Sequence, residues 1–584
     1  MSGPPAMPAP GSIAGHRLAQ EAGAAVRRWH LAEGGRAADA DAVAAAMVAL
    51  WRAVADGAVS GSLADLLATI RQAIPNLQEG TLHDALSASP VIATASARPC
   101  VAGTGTATGV RPLVLDAGRL YRWQDWRGET ALARGLRALA AQTLDAGRVE
   151  PAGSPAGDDA DTLNEQQRSA VRRARSHRLL VLSGGPGTGK SHTLAAIVAD
   201  LLAHQPHLRI VLTAPTGKAA ARLSELLAQR QGLPDTLRVM TLHRLLGYRG
   251  QGRFEHDASN PLADDLVVVD ECSMVDSRLA SQLVQSVGPG TRLVLAGDQH
   301  QLASVEAGAF FSALCQAPQP DLAAARVLLT RNYRQQQAPG LLRFAEAVRE
   351  GTVPDLAGRT MPDLVRVIPA EPVANGRWPA SLVAQLVDDA VAALTPLFAR
   401  SRQAMTSADA AQWLDELGAV RVLSALRSGP AGAEALNRQI IARLPGAQAA
   451  AGAWFAGRLV AIERNAPGLS LFNGDIGLSV NTAEGLRVVF RRPGRLRSLP
   501  PLQLPDCRDA FALTIHQAQG SEFEEVLLLP APAGHPLATR EALYTGATRA
   551  RQRLRLYCDD EAIAAAVASP GREQSGLLGR LYRL

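Results

Sequence analysis

Residues 179–198, LLVLSGGPGTGKSHTLAAIV, decide the fold of this 584-residue chain. An apolar run, 179–182, precedes a glycine-rich loop, and apolar residues at helical spacing follow it. The loop 184–191 fits the pattern G-x-x-x-x-G-K-[ST], in which backbone amides and a helix N-terminus bind phosphate groups. Lys190 is predicted to contact the β- and γ-phosphates of a nucleotide, and the hydroxyl of Ser191 a Mg²⁺ ion.

Lysine is used sparingly in this chain. Only two of its 60 basic residues are lysines, Lys190 and Lys218. A chain so rich in arginine keeps lysine where a compact point charge fits between phosphates better than a planar guanidinium. Lys218 follows the apolar run 210–213, and ligands of open α/β sheets bind at the carboxyl ends of strands. The sequence therefore places Lys218 at the carboxyl end of a strand, where a ligand would bind.

Two carboxylates follow another apolar run. Residues 266–269, LVVV, are expected to form a strand covered on both faces, and Asp270 and Glu271 come at its end. We interpret Asp270 as a Mg²⁺ ligand and Glu271 as the general base that orients an attacking water. A further strand, 292–296, is followed by the polar run 297–302, GDQHQL. Alternation of such strands with helices predicts a parallel α/β sheet.

Composition limits the class of protein. Apolar residues make up 47% of the chain and charged residues 20%, which is typical of globular domains, and the length predicts three or four of them. No apolar run reaches the roughly 18 residues of a membrane span, and the first 15 residues resemble a disordered lead rather than a signal peptide. Five widely spaced cysteines and no C-x-x-C pair indicate a reduced, cytoplasmic protein without a zinc site. The net charge of +6 permits a polyanionic partner.

The remaining regions show weaker patterns. Residues from about 17 to 150 have helical periodicity, with two short strands expected on either side of the turn 116–118, and the Pro/Gly-rich linker 147–161 follows them. No catalytic constellation occurs there, so this region is interpreted as a docking domain. Residues 336–440 read as largely helical, and 445–505 as short strands of a small inserted β barrel.

Eight short motifs occur in a fixed order. GGPGTGKS, APTGKAA, TLHRLLG, VVDECSM and GDxxQLxSVxAG lie between residues 184 and 308, and LFNGDIG, TIHQAQGSEF and LYTGATRAR between 471 and 551. They resemble the successive motifs of superfamily 1 helicases of the RecD type. The resemblance implies an α/β fold with two RecA-like P-loop domains and ATP in the cleft between them. It places these domains at 160–335 and 336–584, with an SH3-like barrel inserted at 445–505 and a helical partner-docking domain at 1–155.

The resemblance also assigns roles to single residues. The predicted ATP and Mg²⁺ contacts are Gln167, Gly184, Gly185, Pro186, Gly187, Thr188, Gly189, Lys190, Ser191, His192 and Asp270. The predicted catalytic groups are Lys190, Asp270, Glu271, Gln301 as γ-phosphate sensor, and Arg334 and Arg549 as arginine fingers. The predicted contacts with single-stranded DNA are Thr216, Lys218, His243, Thr514 and His516. Gln517 stands where the family commonly has a lysine, which leaves its role open.

The implied function is ATP-dependent 5′→3′ movement along single-stranded DNA. Length and N-terminal layout look closest to members that act beside RecB and RecC in a helicase-nuclease, which unwinds and degrades linear duplex DNA in double-strand break repair and recombination. A stand-alone RecD-type helicase is the alternative. A clamp-loader-type ATPase is disfavoured because it lacks a second RecA-like half. Neither lysine lies in the D/E-x-K step of common nuclease sites, so DNA cleavage is expected to belong to a partner chain.

Overall fold

The computed structural model describes residues 13–55, 57–94, 111–144, 162–228, 237–303, 308–333, 338–354, 363–369, 371, 373, 376–444, 454–492, 495–571 and 575–583. Within them lie four sheets: a small N-terminal one, two parallel ones and one antiparallel one. The two parallel sheets confirm the α/β class.

The N-terminal unit contains more sheet than its helical periodicity predicts. Its strands pair in the order β1-β4-β3-β2, with β2 parallel to β3 and the other pairs antiparallel. The predicted strands around the turn 116–118 are confirmed as β3 and β4, whereas β1 and β2 are three-residue strands without a sequence signal. In chain order the elements are α1 (Ile13–Ala32), α2 (Ala40–Ala55), β1 (Ser60–Ser62), α3 (Leu63–Ile70), α4 (Glu79–Ser87), β2 (Ile92–Thr94), β3 (Leu113–Asp116), β4 (Arg119–Arg122) and α5 (Trp123–Ala140).

The first lobe is a parallel six-stranded sheet with the order β10-β5-β9-β8-β6-β7. Residues of β5 alternate between two apolar cores: Leu179 and Val181 pack with α5, and Leu180 and Leu182 with α6 and α7. Helices therefore cover both faces. The elements are α6 (Glu165–Ser176), β5 (Leu179–Gly184), α7 (Lys190–His204), β6 (Ile210–Ala214), α8 (Gly217–Ala228), β7 (Arg238–Thr241), α9 (Leu242–Leu245), β8 (Leu266–Val269), α10 (Ser277–Ser286), β9 (Arg292–Gly297), α11 (Phe310–Gln316), α12 (Pro320–Ala325) and β10 (Arg326–Leu329).

The second lobe is a parallel five-stranded sheet with the order β11-β20-β19-β12-β18. An antiparallel sheet with the order β16-β15-β14-β13-β17 is inserted before β18. The elements are α13 (Pro339–Glu350), β11 (Leu364–Val367), α14 (Ala380–Leu394), α15 (Ser407–Ala419), β12 (Val420–Ser424), α16 (Ala433–Arg443), β13 (Leu459–Ile462), β14 (Ile476–Thr482), β15 (Gly485–Arg492), β16 (Arg495–Leu499), β17 (Cys507–Asp509), β18 (Ala512–Thr514), β19 (Phe523–Leu529), α17 (Arg540–Ala547), β20 (Ala550–Tyr557), α18 (Asp560–Ala568) and α19 (Leu577–Arg583).

One helical stretch is apolar enough to be compared with a membrane span. Among the residues that the structure describes, only Ala380–Phe398 passes by length and composition. Its apolar positions pack inside the second lobe, with Leu386, Val387 and Ala390 fully buried there. Core packing thus accounts for its composition.

The last helix, α19, packs against the first lobe, although the second lobe precedes it in sequence. Leu577 and Leu581 enter the core shared by α5 and the first lobe, although the predicted range 336–584 groups α19 with the second lobe. Arg580 is buried beside α5, and its guanidinium lies 2.6 Å from a carboxylate oxygen of Asp116 and 3.3 Å from one of Glu129. Burial raises the pKa of Glu129, while a hydrogen bond from Ser575 and the charge of Arg580 act in the opposite direction.

Replacing Arg580 with leucine is expected to destabilise the protein by about 3–5 kcal/mol, because the buried Glu129 loses its ion-pair partner and Asp116 keeps only the more exposed Arg583. The measurement is the first thermal transition, followed together with proteolytic release of the C-terminal helix. Arg583→Leu is the matched control, since its guanidinium is 46% exposed and lies 3.5 Å from Asp116. Equal melting temperatures for the two variants would contradict this role of Arg580.

Candidate active site

The phosphate-binding loop lies between β5 and α7. Gly187 and Gly189 have φ values of 79° and 83°, a left-handed conformation that glycine adopts without steric cost. The Nζ of Lys190 donates to the carbonyl oxygens of Gly184, at 2.6 Å, and of Gly185, at 3.1 Å. These neutral acceptors hold the ammonium over the loop, and charged phosphate oxygens would bind it more strongly.

Both lobes line an open cavity above this loop. From the first lobe its walls include Gly185, Pro186, Gly187, Gly189, Lys190, Ser191, His192, Asp270, Glu271 and Gln301. From the second lobe they include Gly520, Glu522 and Arg549. A molecule bound in this cavity therefore touches both lobes.

Three residues predicted to contact the nucleotide do not lie on this cavity wall. The Oε1 of Gln167 accepts from the amide of Asn164 at 2.9 Å, in the capping box that begins α6. The Thr188 hydroxyl donates to a loop carbonyl at 2.8 Å, and a Cβ on Gly184 would lie 2.6 Å from that hydroxyl oxygen. These contacts hold the loop in shape, and Thr188 lines an adjoining cavity together with Gly185 and Pro186. The assignment of these residues to the nucleotide stays a prediction.

Asp270 and Glu271 follow β8 and line the cavity side by side. Burial, together with the neighbouring charge of Glu271, raises the pKa of Asp270 to about 6. Glu271 has a φ of 55°, which costs energy for a residue with a side chain and marks a constrained position. Ser191 lies on the same cavity. A hydroxyl and a crowded carboxylate pair fit Mg²⁺, which takes oxygen ligands and usually one or two carboxylates besides phosphates.

Gln301 follows β9 and has one end of its amide fixed. Its Nε2 donates to Asp298 at 3.1 Å, whereas its buried Oε1 has no hydrogen-bond partner among the described residues. Gln301 lines the cavity, and its assignment as γ-phosphate sensor stays a prediction.

Arg549 reaches the cavity from the second lobe. Its Nε donates to the carbonyl of Thr545 at 3.1 Å and its Nη1 to the carbonyl of Ser521 at 3.2 Å. Burial lowers its pKa, while the carboxylates of Glu271 and Glu522 act in the opposite direction. The guanidinium is thus aimed by backbone carbonyls. The other predicted finger, Arg334, lies outside the described residues.

The predicted DNA contacts fall on both lobes. Lys218 is the second residue of α8, two positions after Thr216, and its Nζ donates to the hydroxyl of Ser521 in the second lobe at 2.6 Å. Burial, and secondarily the charge of Arg421, lowers the pKa of Lys218 to about 8. Thr514 ends β18. The structure therefore brings Lys218 to the boundary between the lobes.

The other predicted DNA contacts have different surroundings. Burial lowers the pKa of His516, which favours its neutral form. The Oε1 of Gln517 accepts from the amide of Thr514 at 3.0 Å, so Gln517 caps the chain locally where the family has lysine. His243 is exposed on α9, with its ring 5.3 Å from that of Tyr248. Two glycines within residues 248–256 suggest a small protruding hairpin. That prediction is wrong, because these residues contain no strand.

Sequence reasoning missed one pair on the cavity wall. Arg222 of α8 donates to Glu522 of the second lobe at 3.0 Å, and both side chains line the cavity. The available signal was spacing, since Arg222 lies four residues after Lys218 and thus on the same helical face. Glu522 carried no comparable signal, because its place depends on how the lobes meet.

Two family models match this chain. An AAA domain matches residues 167–307, and a UvrD-like helicase C-terminal domain matches residues 509–557. With two parallel sheets meeting at one phosphate-loop cavity, these matches define the class: an ATP-hydrolysing DNA helicase of superfamily 1. The chain belongs to the RecD family, as its curated relatives show.

The relatives cover most of the chain. The RecBCD enzyme subunit RecD of Mycolicibacterium smegmatis is 38% identical over 437 residues, 71% of this chain and 75% of that protein. The same subunit of Mycobacterium tuberculosis is 35% identical over 498 residues, 80% of this chain and 83% of that protein. The ATP-dependent RecD2 DNA helicase of Deinococcus radiodurans is 34% identical over 466 residues, 78% of this chain and 56% of that protein. Among solved structures, Pif1 helicase from Candida albicans aligns with a TM-score of 0.41 at 17% identity, covering 69% of this chain and 97% of that one.

Proposed function

We propose that this helicase moves 5′→3′ along single-stranded DNA as the RecD subunit of a cytoplasmic complex with RecB and RecC, which unwinds and degrades linear duplex DNA during break repair and recombination. The observation that carries the motor assignment is the cavity in which Lys190 and Glu271 of one lobe face Arg549 of the other. Binding and hydrolysis of ATP there would change how the lobes meet. The names of the mycobacterial relatives support the RecB and RecC partners.

Each residue has a separate role in the proposed hydrolysis. Lys190 neutralises the terminal phosphates, and Glu271 accepts the proton of the attacking water. Arg549 stabilises the charge that develops on the transferred phosphoryl group, with Arg334 as the second finger. Ser191 and Asp270 would hold Mg²⁺, which neutralises phosphate charge when bound.

Three further assignments complete the proposal. Thr216, Lys218, His243, Thr514 and His516 are proposed to contact the DNA backbone, since grip on phosphates is independent of base sequence. The sheet β13–β17 is proposed to be an SH3-like insert, and the N-terminal unit a docking domain for the partner subunits. DNA cleavage is assigned to a partner chain.

Polarity is tested on partial duplexes with a single-stranded tail at one end only. With the protein purified both alone and with RecB and RecC, we expect the chain's own motor to unwind the 5′-tailed substrate. In the complex, Lys190→Gln isolates the contribution of this chain. Unwinding by the chain alone from 3′ tails only would overturn the polarity. Failure to co-purify with RecB and RecC would favour the alternative, a stand-alone helicase.

DNA affinity is expected to depend on the charge of Lys218. A pKa lowered to about 8 means that the ammonium loses its proton as the pH rises through that value, so affinity for single-stranded DNA falls from about pH 7 to about pH 9. Lys218→Met should remove this pH dependence and reduce the salt slope of binding by about 1. Lys218→Arg retains the charge and is the control. A wild-type pH profile in Lys218→Met would contradict the assigned contact.

A further inference from the structure

The carboxylate of Asp298 accepts three hydrogen bonds. Asp298 follows β9 and is 1% exposed. Its Oδ2 accepts from the Nε2 of Gln301 and from the hydroxyl of Tyr544, each at 3.1 Å. Its Oδ1 accepts from the amide of His300 at 3.0 Å. Because Tyr544 lies on α17 of the second lobe, one carboxylate of the first lobe contacts both the cavity amide and the opposite lobe.

The carboxylate fixes the orientation of the Gln301 amide. A carboxylate accepts hydrogen bonds, so it selects the amide nitrogen. The oxygen Oε1 is buried and has no hydrogen-bond partner among the described residues. Since leaving a buried acceptor unpaired is costly, the amide keeps this orientation only while Asp298 holds its nitrogen.

Tyr544 connects the same carboxylate to the arginine of the second lobe. A Cβ on Gly185 would lie 2.9 Å from the Tyr544 hydroxyl, so that hydroxyl rests against the phosphate loop. The next residue, Thr545, supplies the carbonyl that holds the Nε of Arg549. Its hydroxyl also accepts from the amide of Leu302 at 2.7 Å. The segment 298–302 is thus attached to α17 at two points, beside Gln301.

We propose that Asp298 and Tyr544 are positioning residues: their hydrogen bond ties the orientation of Gln301 to the seating of the second lobe. When the lobes meet, α17 places Arg549 and holds Asp298, and Asp298 fixes the amide of Gln301, a residue of the cavity wall. Closure of the lobes and orientation of Gln301 are then one event. This inference rests on the proposed hydrolytic site and adds to it the link between its two halves.

The test compares Asp298→Asn, Tyr544→Phe and the double variant. Asparagine keeps the shape of Asp298 but offers a donor, so the Gln301 amide is free to turn over. Each single change is expected to lower kcat for DNA-stimulated ATP hydrolysis by about 10- to 100-fold, the range for loss of a hydrogen bond to a charged group. The affinity for ATP should change by less than about threefold. The double variant should be no slower than the slower single variant, because both remove one connection.

A matched control separates positioning from stability. Tyr557 is fully buried, and its hydroxyl donates to Asp389 at 2.6 Å, both within the second lobe. Tyr557→Phe removes the same kind of bond away from the cavity, so it should lower the melting temperature like Tyr544→Phe but leave kcat unchanged. Multiplicative losses in the double variant, or a wild-type kcat in Tyr544→Phe, would overturn the inference. Absence of DNA-stimulated hydrolysis in the wild type would instead refute the proposed function.

Discussion

Replacing Arg549 with alanine is expected to lower kcat for ATP hydrolysis by about 10³- to 10⁵-fold, the range for loss of an arginine finger. The guanidinium is buried, and carbonyls of the second lobe aim it at the cavity that contains Lys190. Arg549→Lys is expected to recover little, because a point charge lacks the planar fork that these carbonyls hold. The measurement is single-turnover hydrolysis with saturating single-stranded DNA.

Binding of a fluorescent ATP analogue should remain close to wild type in Arg549→Ala, because the phosphate loop is intact. The matched control is Arg553→Ala. That arginine lies on β20, is half exposed, and faces Glu525 at 3.7 Å, away from the cavity. A loss smaller than about tenfold in Arg549→Ala, or an equal loss in Arg553→Ala, would contradict the assignment of a cross-lobe finger.

Replacing Glu271 with glutamine is expected to lower kcat by about 10²- to 10⁴-fold, since the proposed general base is lost while its shape is kept. Nucleotide affinity should persist, so the variant would bind ATP and DNA together without turnover. The measurement is phosphate release after rapid mixing with ATP and DNA. Glu522→Gln is the control on the same cavity wall, because Arg222 and Arg551 already hold that carboxylate. Comparable losses in the two variants would exclude Glu271 as the base.

The strands of the first lobe could be predicted from the sequence where a run of apolar residues marks them. The runs at 179–182, 210–213, 266–269 and 292–296, which are apolar except for Thr213 and Arg292, all form buried strands, because strands covered on both faces are mostly apolar. The edge strands β7 and β10 were not predicted. Each has only four residues and exposes one side chain, Arg238 in β7 and Leu328 in β10. Neither strand is therefore buried along its whole length as the four strands above are.

In the second lobe and its insert the local signal was partial. The strand predicted at 459–462 is confirmed by β13, and β14 and β15 extend the runs that were predicted at 477–480 and 486–490. Alternating polar and apolar residues at 553–557 predict a half-exposed strand near the sheet edge, and β20 is that strand. The edge strand β11, which pairs with β20, was not predicted. Such pairing depends on residues about 190 positions apart and leaves no local pattern.

The residues of the site also divide into those with a local sequence signal and those without one. Lys190, Ser191, Asp270 and Glu271 could be predicted because each follows a strand within a recognisable motif. The contacts of Arg222 with Glu522 and of Asp298 with Tyr544 could not, since they join residues 300 and 246 positions apart across two lobes. The hydrogen bonds of Gln167 with Asn164 and of Thr188 with the carbonyl of Gly185 also needed the structure, because a motif identifies a residue without showing its contacts.

The most direct test of the central claim is the steady-state rate of ATP hydrolysis by the full chain with and without single-stranded DNA, measured for the wild type and for Lys190→Gln. If a nucleotide between the lobes drives movement along DNA, single-stranded DNA should raise the wild-type rate several-fold, and the variant should show no hydrolysis at either condition. A wild-type rate that is unchanged by DNA, or a Lys190→Gln variant that hydrolyses ATP as fast as the wild type, would contradict the account.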